Sequence, residues 1–252
     1  MGSDILESYS IPGAGNFTFS AVNPDDLEEL GYTLATVVLD ASGSLEYKKN
    51  LLTALLKTIA IGLKKSSRKE TILLRVIIFN ETIWEIHGFK HVTQIDSDND
   101  YEGIEPKGMT GLVDSMFSAV ASTYEYAKKL VDDGYDTNAC VYIITDGMDN
   151  RSKKKARDVS EQIARMKAGE EVESIITILF GVNDPICGWS KDVASALSEL
   201  QAEVDFTEYI DAGDVTEENV GKIGGVVSSS IVSTSQALGT KGPSQQLPSK
   251  AF

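Results

Sequence analysis

The chain is poor in cysteine, histidine and positive charge, and each shortage excludes a class of function. Its 252 residues include two cysteines, Cys140 and Cys187, which are too few for a disulfide framework. Lys and Arg number 23 against 38 Asp and Glu, so the formal net charge is −15. A surface this acidic repels a phosphate backbone, and we therefore expect no nucleic-acid partner. The 2 histidines leave little material for a zinc site or a general base.

Long apolar runs are also missing. No window approaches the roughly 18 apolar residues of a transmembrane helix, so we expect no membrane partner. The start of the chain, Met1-Gly2-Ser3-Asp4-Ile5-Leu6, lacks the basic residues and apolar core of a signal peptide. Together with two unpaired cysteines, this predicts a cytoplasmic protein.

Strand-like and helix-like patterns alternate along most of the sequence. Apolar, β-rich runs occupy 32–39, 72–79, 140–145 and 175–180, with segments of helical apolar spacing between them. This alternation predicts a doubly wound α/β domain over residues 31–238, with a mostly parallel central sheet and helices on both faces. Residues 82–89 follow the second run after Asn80-Glu81, which predicts an antiparallel hairpin partner at the edge of the sheet.

The two ends of the chain differ from this pattern. Residues 1–30 contain six acidic residues and no Lys or Arg, and we expect an acidic arm that lies on the domain. Asn23-Pro24-Asp25-Asp26 is typical of the start of a short helix. Residues 239–252 are dominated by Gly, Lys, Pro, Ser and Gln, which predicts a disordered tail.

Oxygen-bearing side chains stand where three of the predicted turns should meet. The first strand ends in Asp40-Ala41-Ser42-Gly43-Ser44, Thr110 precedes a helix, and Asp146 follows the central strand. In a doubly wound sheet these turns converge on the carboxyl edge. Two carboxylates and three hydroxyls are hard ligands of modest charge, which suit Mg²⁺, with Mn²⁺ or Ca²⁺ as alternatives.

The five residues Asp40, Ser42, Ser44, Thr110 and Asp146 resemble, in order and context, the metal-ion-dependent adhesion site (MIDAS) of von Willebrand factor A (vWA) domains. The resemblance covers about 31–238. It implies that the two serine hydroxyls bind the metal directly, that the two carboxylates often act through water, and that the threonine alternates between the two modes. It also implies a Lewis-acidic ion that takes an Asp or Glu carboxylate from a protein partner, and therefore binding rather than catalysis.

A shorter resemblance lies in the last predicted helix, over about 217–238. The Ser-rich stretch 227–235 is similar to the last helix of bacterial intracellular A domains of the tellurite-resistance-cluster type. This implies a role in a multi-protein stress or defence system, or beside an AAA+ ATPase. The helix combines a narrow apolar stripe with three glycines, so we expect it to be lightly packed, with a Ser-rich opposite face.

Other interpretations stay open. Each piece of the motif occurs alone in ordinary turns and helix caps. A metal-dependent hydrolase of phosphate or acyl substrates is one alternative, and an extracellular adhesin of the same fold is another. Self-association, in which a neighbouring copy supplies the carboxylate, is an alternative to a separate partner. We do not expect an enzyme, because neither histidine falls near the predicted metal edge.

Three weaker signals indicate surface features. Residues 96–102 resemble the start of an EF-hand loop, but Tyr101 and Lys107 stand where Gly and Glu are required, so we expect a solvated acidic loop. We interpret His87 and His91 as surface residues. The basic cluster 151–157 is expected to be a solvated helix face, close enough to Asp146 to contact an acidic partner.

Overall fold

The central feature of the structure, a computed structural model, is one sheet of eight strands. Residues 5–11, 17–169, 171–183 and 191–239 are described. The strand order is β1-β2-β5-β4-β3-β6-β7-β8. The strands are β1 (Leu6–Ser10), β2 (Thr18–Val22), β3 (Gly31–Asp40), β4 (Ile72–Phe79), β5 (Ile83–His91), β6 (Asp136–Thr145), β7 (Ile175–Asn183) and β8 (Glu208–Asp214).

Five helices cover the two faces of the sheet. They are α1 (Lys49–Lys64), α2 (Leu112–Asp132), α3 (Ala156–Ala168), α4 (Lys191–Glu203) and α5 (Glu217–Ala237). One apolar core lies under α1 and α5, and a second lies under α2, α3 and α4. The predicted doubly wound α/β fold with a mostly parallel sheet is confirmed.

The central strands explain where the polar turns meet. β3 pairs in parallel with both β4 and β6, and its residues are almost all buried, as expected for a strand with helices on both faces. Leu39 lies beside Ile144, so β3 and β6 end next to each other. Their carboxyl ends therefore place Asp40 beside the Thr145-Asp146 turn.

The N-terminal segment contributes strands to the sheet, which the sequence did not indicate. β1 and β2 form an antiparallel hairpin, and β2 pairs in parallel with β5 through Ala21 and Phe89. β5 is antiparallel to β4 as predicted, but it is not an edge strand, because β2 covers its outer side. The expected short helix at Asn23 is only a 3₁₀ turn, Pro24–Asp26.

Glycine permits the close contact between β2 and β5. A Cβ atom at Gly88 would lie 2.0 Å from the backbone oxygen of Ser20, a distance that no side chain can occupy. Beside this contact, Phe89 stacks on Tyr126, whose hydroxyl donates to the Val22 oxygen at 2.7 Å. The hairpin is therefore packed into the same core as α2.

Much of the Ser-rich face of α5 is buried, contrary to the expectation of a lightly packed helix. Ser230, Thr234 and Ser235 are buried, and the Asn138 side chain donates to the Thr234 oxygen at 2.9 Å. α1 approaches closely, since a Cβ at Gly62 would lie 2.8 Å from Ser228 Oγ. Small side chains on both helices allow this spacing.

None of the helices in the described ranges is both long enough and apolar enough to cross a membrane. Cys140 is a buried free thiol, as its apolar context predicted. Cys187 and the predicted tail beyond Gly239 lie outside the described residues.

Candidate metal centre

The five predicted ligands all lie on loops at the carboxyl edge of the parallel strands. Asp40 is the last residue of β3, and Asp146 follows β6 directly. Ser42 precedes a 3₁₀ turn, Gly43–Lys48, which contains Ser44. Thr110 stands two residues before α2 begins.

Backbone hydrogen bonds hold the loop before α2 against the loop after β3. Gly43 N donates to Gly108 O at 3.1 Å, and Lys107 N donates to Ala41 O at 2.9 Å. Asn80 connects the same region to β4. Its side chain donates to Lys107 O at 2.7 Å, and its backbone oxygen accepts from Gly111 N at 2.7 Å. These contacts fix the position of Thr110 relative to the serines.

A second set of contacts joins Thr110 to the loop after β6. Thr110 N donates to the Asn150 side chain at 2.9 Å, and Asn150 N donates to Thr110 O at 3.0 Å. A Cβ at Gly147 would lie 3.7 Å from Thr110 Oγ1, so the two loops are in contact. Sequence reasoning missed both Asn80, which directly follows β4, and Asn150, which lies five residues beyond β6.

Asp40 is a fully buried carboxylate with two hydrogen-bond donors. It accepts from Ser42 N at 2.8 Å and from Thr145 Oγ1 at 2.6 Å. Burial, and then the negative charge of Asp146, raise the pKa of Asp40 well above its usual value. A buried carboxylate beside a second, half-buried carboxylate is costly without a cation, so this pair favours a bound cation.

The serine hydroxyls have a spacing that fits an octahedral ion. Ser42 Oγ and Ser44 Oγ lie 3.1 Å apart. Adjacent ligands of Mg²⁺, each at about 2.1 Å, are separated by about 3 Å in an octahedron. The donor set consists of hydroxyls and two carboxylates, and the described residues contain no cluster of three or more His, Cys, Asp or Glu arranged for a metal. The residues present therefore fit a hard divalent cation held partly by hydroxyls.

The weaker sequence signals take different places in the structure. His87 is buried rather than exposed, with its Nε2 3.1 Å from the Tyr101 hydroxyl, and burial lowers the pKa of His87 to about 4. His91 is half-buried against Tyr32. Because α3 begins at Ala156, most of the basic cluster lies on the loop before it and not on a helix face. Asp96 and Asp98 are exposed in a turn, as expected for a solvated acidic loop.

The likeness of this chain to known proteins lies in its three-dimensional structure. No protein-family model and no curated protein sequence matches the chain. The PilB minor pilin of Streptococcus sanguinis superposes with a TM-score of 0.56 at 12% identity, covering 84% of this chain and 64% of that one. Proximal thread matrix protein 1 of the mussel byssus, in a form with a zinc-occupied MIDAS motif, superposes with a TM-score of 0.52 at 18% identity, covering 81% and 47%. The fold is that of a vWA domain.

The pilus adhesin SpaC of Lactobacillus rhamnosus GG is a third example of this likeness. It superposes with a TM-score of 0.55 at 10% identity, and the match covers 86% of this chain and 31% of SpaC. The matched region therefore spans between about a third and two thirds of the length of these chains. At such low identities the comparison establishes the fold of the domain and no more.

Proposed function

We propose that this vWA domain is a protein-interaction module that binds an acidic side chain of its partner through a divalent cation. The cation is Mg²⁺, held by Asp40, Ser42, Ser44, Thr110 and Asp146. When bound, the ion supplies a Lewis-acidic position for the carboxylate of the partner. The proposal of this ion rests on the chemistry of the five side chains, three hydroxyls and two carboxylates.

The observation that carries this proposal is the combination of the buried carboxylate of Asp40, next to the half-buried Asp146, with paired hydroxyls. Asp40 and Asp146 provide the negative charge that attracts a cation, and the 3.1 Å spacing of the serine oxygens suits adjacent ligand positions. Ser42 N fixes the orientation of Asp40, while the Asn150 contacts position Thr110. Three hydroxyls in a set of five leave the ion less neutralised than a carboxylate cage would, so it can accept a further anionic ligand.

We propose binding without turnover. Both histidines of the chain lie in β5, away from the metal edge. His87 is opposite Val76 in the middle of β4, and His91 is opposite Leu73 near its start. An imidazole base is therefore out of reach of the ion. A metal-dependent hydrolase would release p-nitrophenol from p-nitrophenyl phosphate or p-nitrophenyl acetate in Mg²⁺ and would lose this activity in EDTA. The proposed module should release no p-nitrophenol.

We place the module in the cytoplasm, within a multi-protein stress, defence or AAA+ ATPase-linked system, on the basis of the Ser-rich α5 and the free thiol of Cys140. The second candidate is an extracellular adhesin, which is favoured by the similarity to a minor pilin and a pilus adhesin. Fractionation of the source cells separates the two. Recovery in the soluble cytoplasmic fraction supports the first, and recovery at the cell surface supports the second.

Calorimetry with Mg²⁺ and with Mn²⁺ tests the metal centre. Asp40→Ala should abolish binding while the circular dichroism spectrum is retained, because the residue lies at the end of its strand. Asp98→Ala removes an exposed carboxylate from a distant turn and should bind as the wild type does. Unchanged affinity in Asp40→Ala would refute the assignment of the ligands.

A pull-down tests the use of the metal. A partner captured from lysate in Mg²⁺ should be released by EDTA, and Asp40→Ala should not capture it. A partner that stays bound in EDTA would make the metal structural and would contradict the proposal.

A further inference from the structure

Large apolar side chains are exposed on every loop of the metal centre. Tyr47 is 78% exposed, Met148 is 48% exposed and Met109 is 42% exposed. They are three of the seven large hydrophobic residues that are exposed in the described chain. Single exposed apolar residues are ordinary on protein surfaces, but three around one site are not scattered.

Their positions follow from the contacts that build the site. Tyr47 lies in the same 3₁₀ turn as Ser44, and Met109 immediately precedes Thr110. Met148 is two residues beyond Asp146. The Gly43–Gly108 hydrogen bond places the first two loops side by side, and the paired bonds between Thr110 and Asn150 join the third. The three apolar side chains therefore stand on the loops that carry the ligand residues, and we call the three the apolar rim.

The charge of these loops is opposite to that of the chain. Besides Asp40 and Asp146, the segments 40–48, 105–111 and 145–155 contain three acidic residues, Glu46, Glu105 and Asp149. They contain six basic residues: Lys48, Lys107, Arg151, Lys153, Lys154 and Lys155. Within the described residues none of the six forms a salt bridge. Lys154 lies over the Phe117 ring, with its Nζ 4.1 Å from the ring centroid, and the charges of the other five are available to a partner.

We infer that the partner of this site is a separate protein with a net acidic segment in which the metal-binding Asp or Glu stands next to large apolar side chains. This inference rests on the proposed function and adds the chemistry of the flanking residues. The metal selects the carboxylate, the apolar rim selects its neighbours, and the basic residues favour the acidic segment by charge complementarity. Methionine suits such a surface, because its unbranched and polarisable side chain adapts to different apolar shapes.

Three short synthetic peptides of equal net negative charge test the inference. The first has a central Asp flanked by Leu and Phe, the second has the same Asp flanked by Gly and Ser, and the third has Asn at the centre between Leu and Phe, with its lost charge restored at a terminus. Affinities are measured by fluorescence anisotropy with Mg²⁺ and with EDTA. The first peptide should bind about tenfold more tightly than the second, which corresponds to about 1.4 kcal/mol. The third should bind weakly, and EDTA should remove the binding of the first two.

The variant Met109→Ser/Met148→Ser should remove the preference for the first peptide over the second and leave calorimetric Mg²⁺ affinity unchanged. Met109→Leu/Met148→Leu keeps the apolar surface and should keep the preference. Leu30→Ser is the matched control, since Leu30 is 88% exposed but precedes β3 at the opposite edge of the sheet. It should behave as the wild type does.

The outcomes separate this inference from the proposed function. EDTA-sensitive binding of equal strength for the first two peptides would overturn the apolar selection and leave the metal-dependent function standing. Binding of no peptide in Mg²⁺, or binding indifferent to EDTA, would contradict both. Metal-dependent dimerisation of the chain that disappears in the double serine variant would assign the apolar rim to a second copy and overturn the separate partner.

Discussion

Replacing Asp40 with asparagine should stabilise the metal-free protein while it removes the stabilisation by Mg²⁺. Burial and the charge of Asp146 raise the pKa of Asp40 from 3.8 to about 7, a difference that corresponds to about 4 kcal/mol. Because the folded-state pKa is the higher one, the unfolded chain loses its proton first. The stability contributed by this group therefore falls as pH rises from about 4 to about 7, and the full penalty applies above that window.

Asparagine keeps the shape and loses the charge. Its Oδ1 can accept from Ser42 N, which lies 2.8 Å from the present carboxylate, and its Nδ2 can donate to Thr145 Oγ1, 2.6 Å away. Each of the two hydrogen bonds is weaker by about 1 kcal/mol with a neutral amide, so we expect a net gain of about 2 kcal/mol at pH 8. For a chain of this size, each kcal/mol raises Tm by about 2–4 °C.

Thermal unfolding followed by circular dichroism measures both effects. In EDTA at pH 8 the variant should have the higher Tm, and at pH 4 the difference should vanish. Saturating Mg²⁺ should raise the Tm of the wild type and leave the variant unchanged. Asp98→Asn, in an exposed turn, should follow the wild type throughout. A variant less stable than the wild type in EDTA at pH 8 would show that the charge of Asp40 is not a cost in the metal-free fold.

Three further predictions concern the rest of the fold. Burial lowers the pKa of His87 to about 4, below the 6.5 of the unfolded chain, so the folded state loses stability as pH drops through this window. In urea unfolding, the free energy of unfolding should fall by about 2 kcal/mol more between pH 7 and pH 5 for the wild type than for His87→Gln. Gly88→Ala places a methyl group 2.0 Å from Ser20 O and should detach the β1–β2 hairpin, which increased proteolysis near residue 20 would reveal. Gly221→Ala, by contrast, has open space around it and should stabilise α5 by about 1 kcal/mol. If α5 responds to the site, Mg²⁺ with the Leu/Phe-flanked peptide should change hydrogen exchange across Glu217–Ala237; change confined to the site loops would make α5 passive.

The sequence predicted the parts of the fold that depend on local pattern. β3 and β6 are buried on both faces, which makes them continuous apolar runs, and the end of such a run marks the position of Asp40 and Asp146. The order of elements then brings the loops together without knowledge of any side-chain contact. Asn80 and Asn150 could not be identified in this way, because their roles depend on hydrogen bonds between loops distant in sequence.

The remaining errors share a physical cause. β2 joins the sheet through Phe89, a contact between residues far apart in the chain, and nothing in a five-residue strand indicates its partner. The prediction of a surface position for His87 is wrong because Tyr101, from the loop after β5, packs against its ring. The burial of several α5 serines also depends on a distant element, because Gly62 lets α1 approach Ser228.

The β1–β2 hairpin has a consequence for how the domain can be shortened. A chain cut at Gly31, where the regular α/β pattern begins, would retain every proposed metal ligand. It would also remove Phe19 from the rings of Phe89 and Tyr126 and leave Tyr126 without its acceptor at Val22. The carboxylate of Glu85, which pairs with the buried Arg75, would lose its contact with Ser20. The shortest autonomous unit therefore begins before β1, and a shortened chain should be tested for aggregation before any loss of binding is attributed to the site.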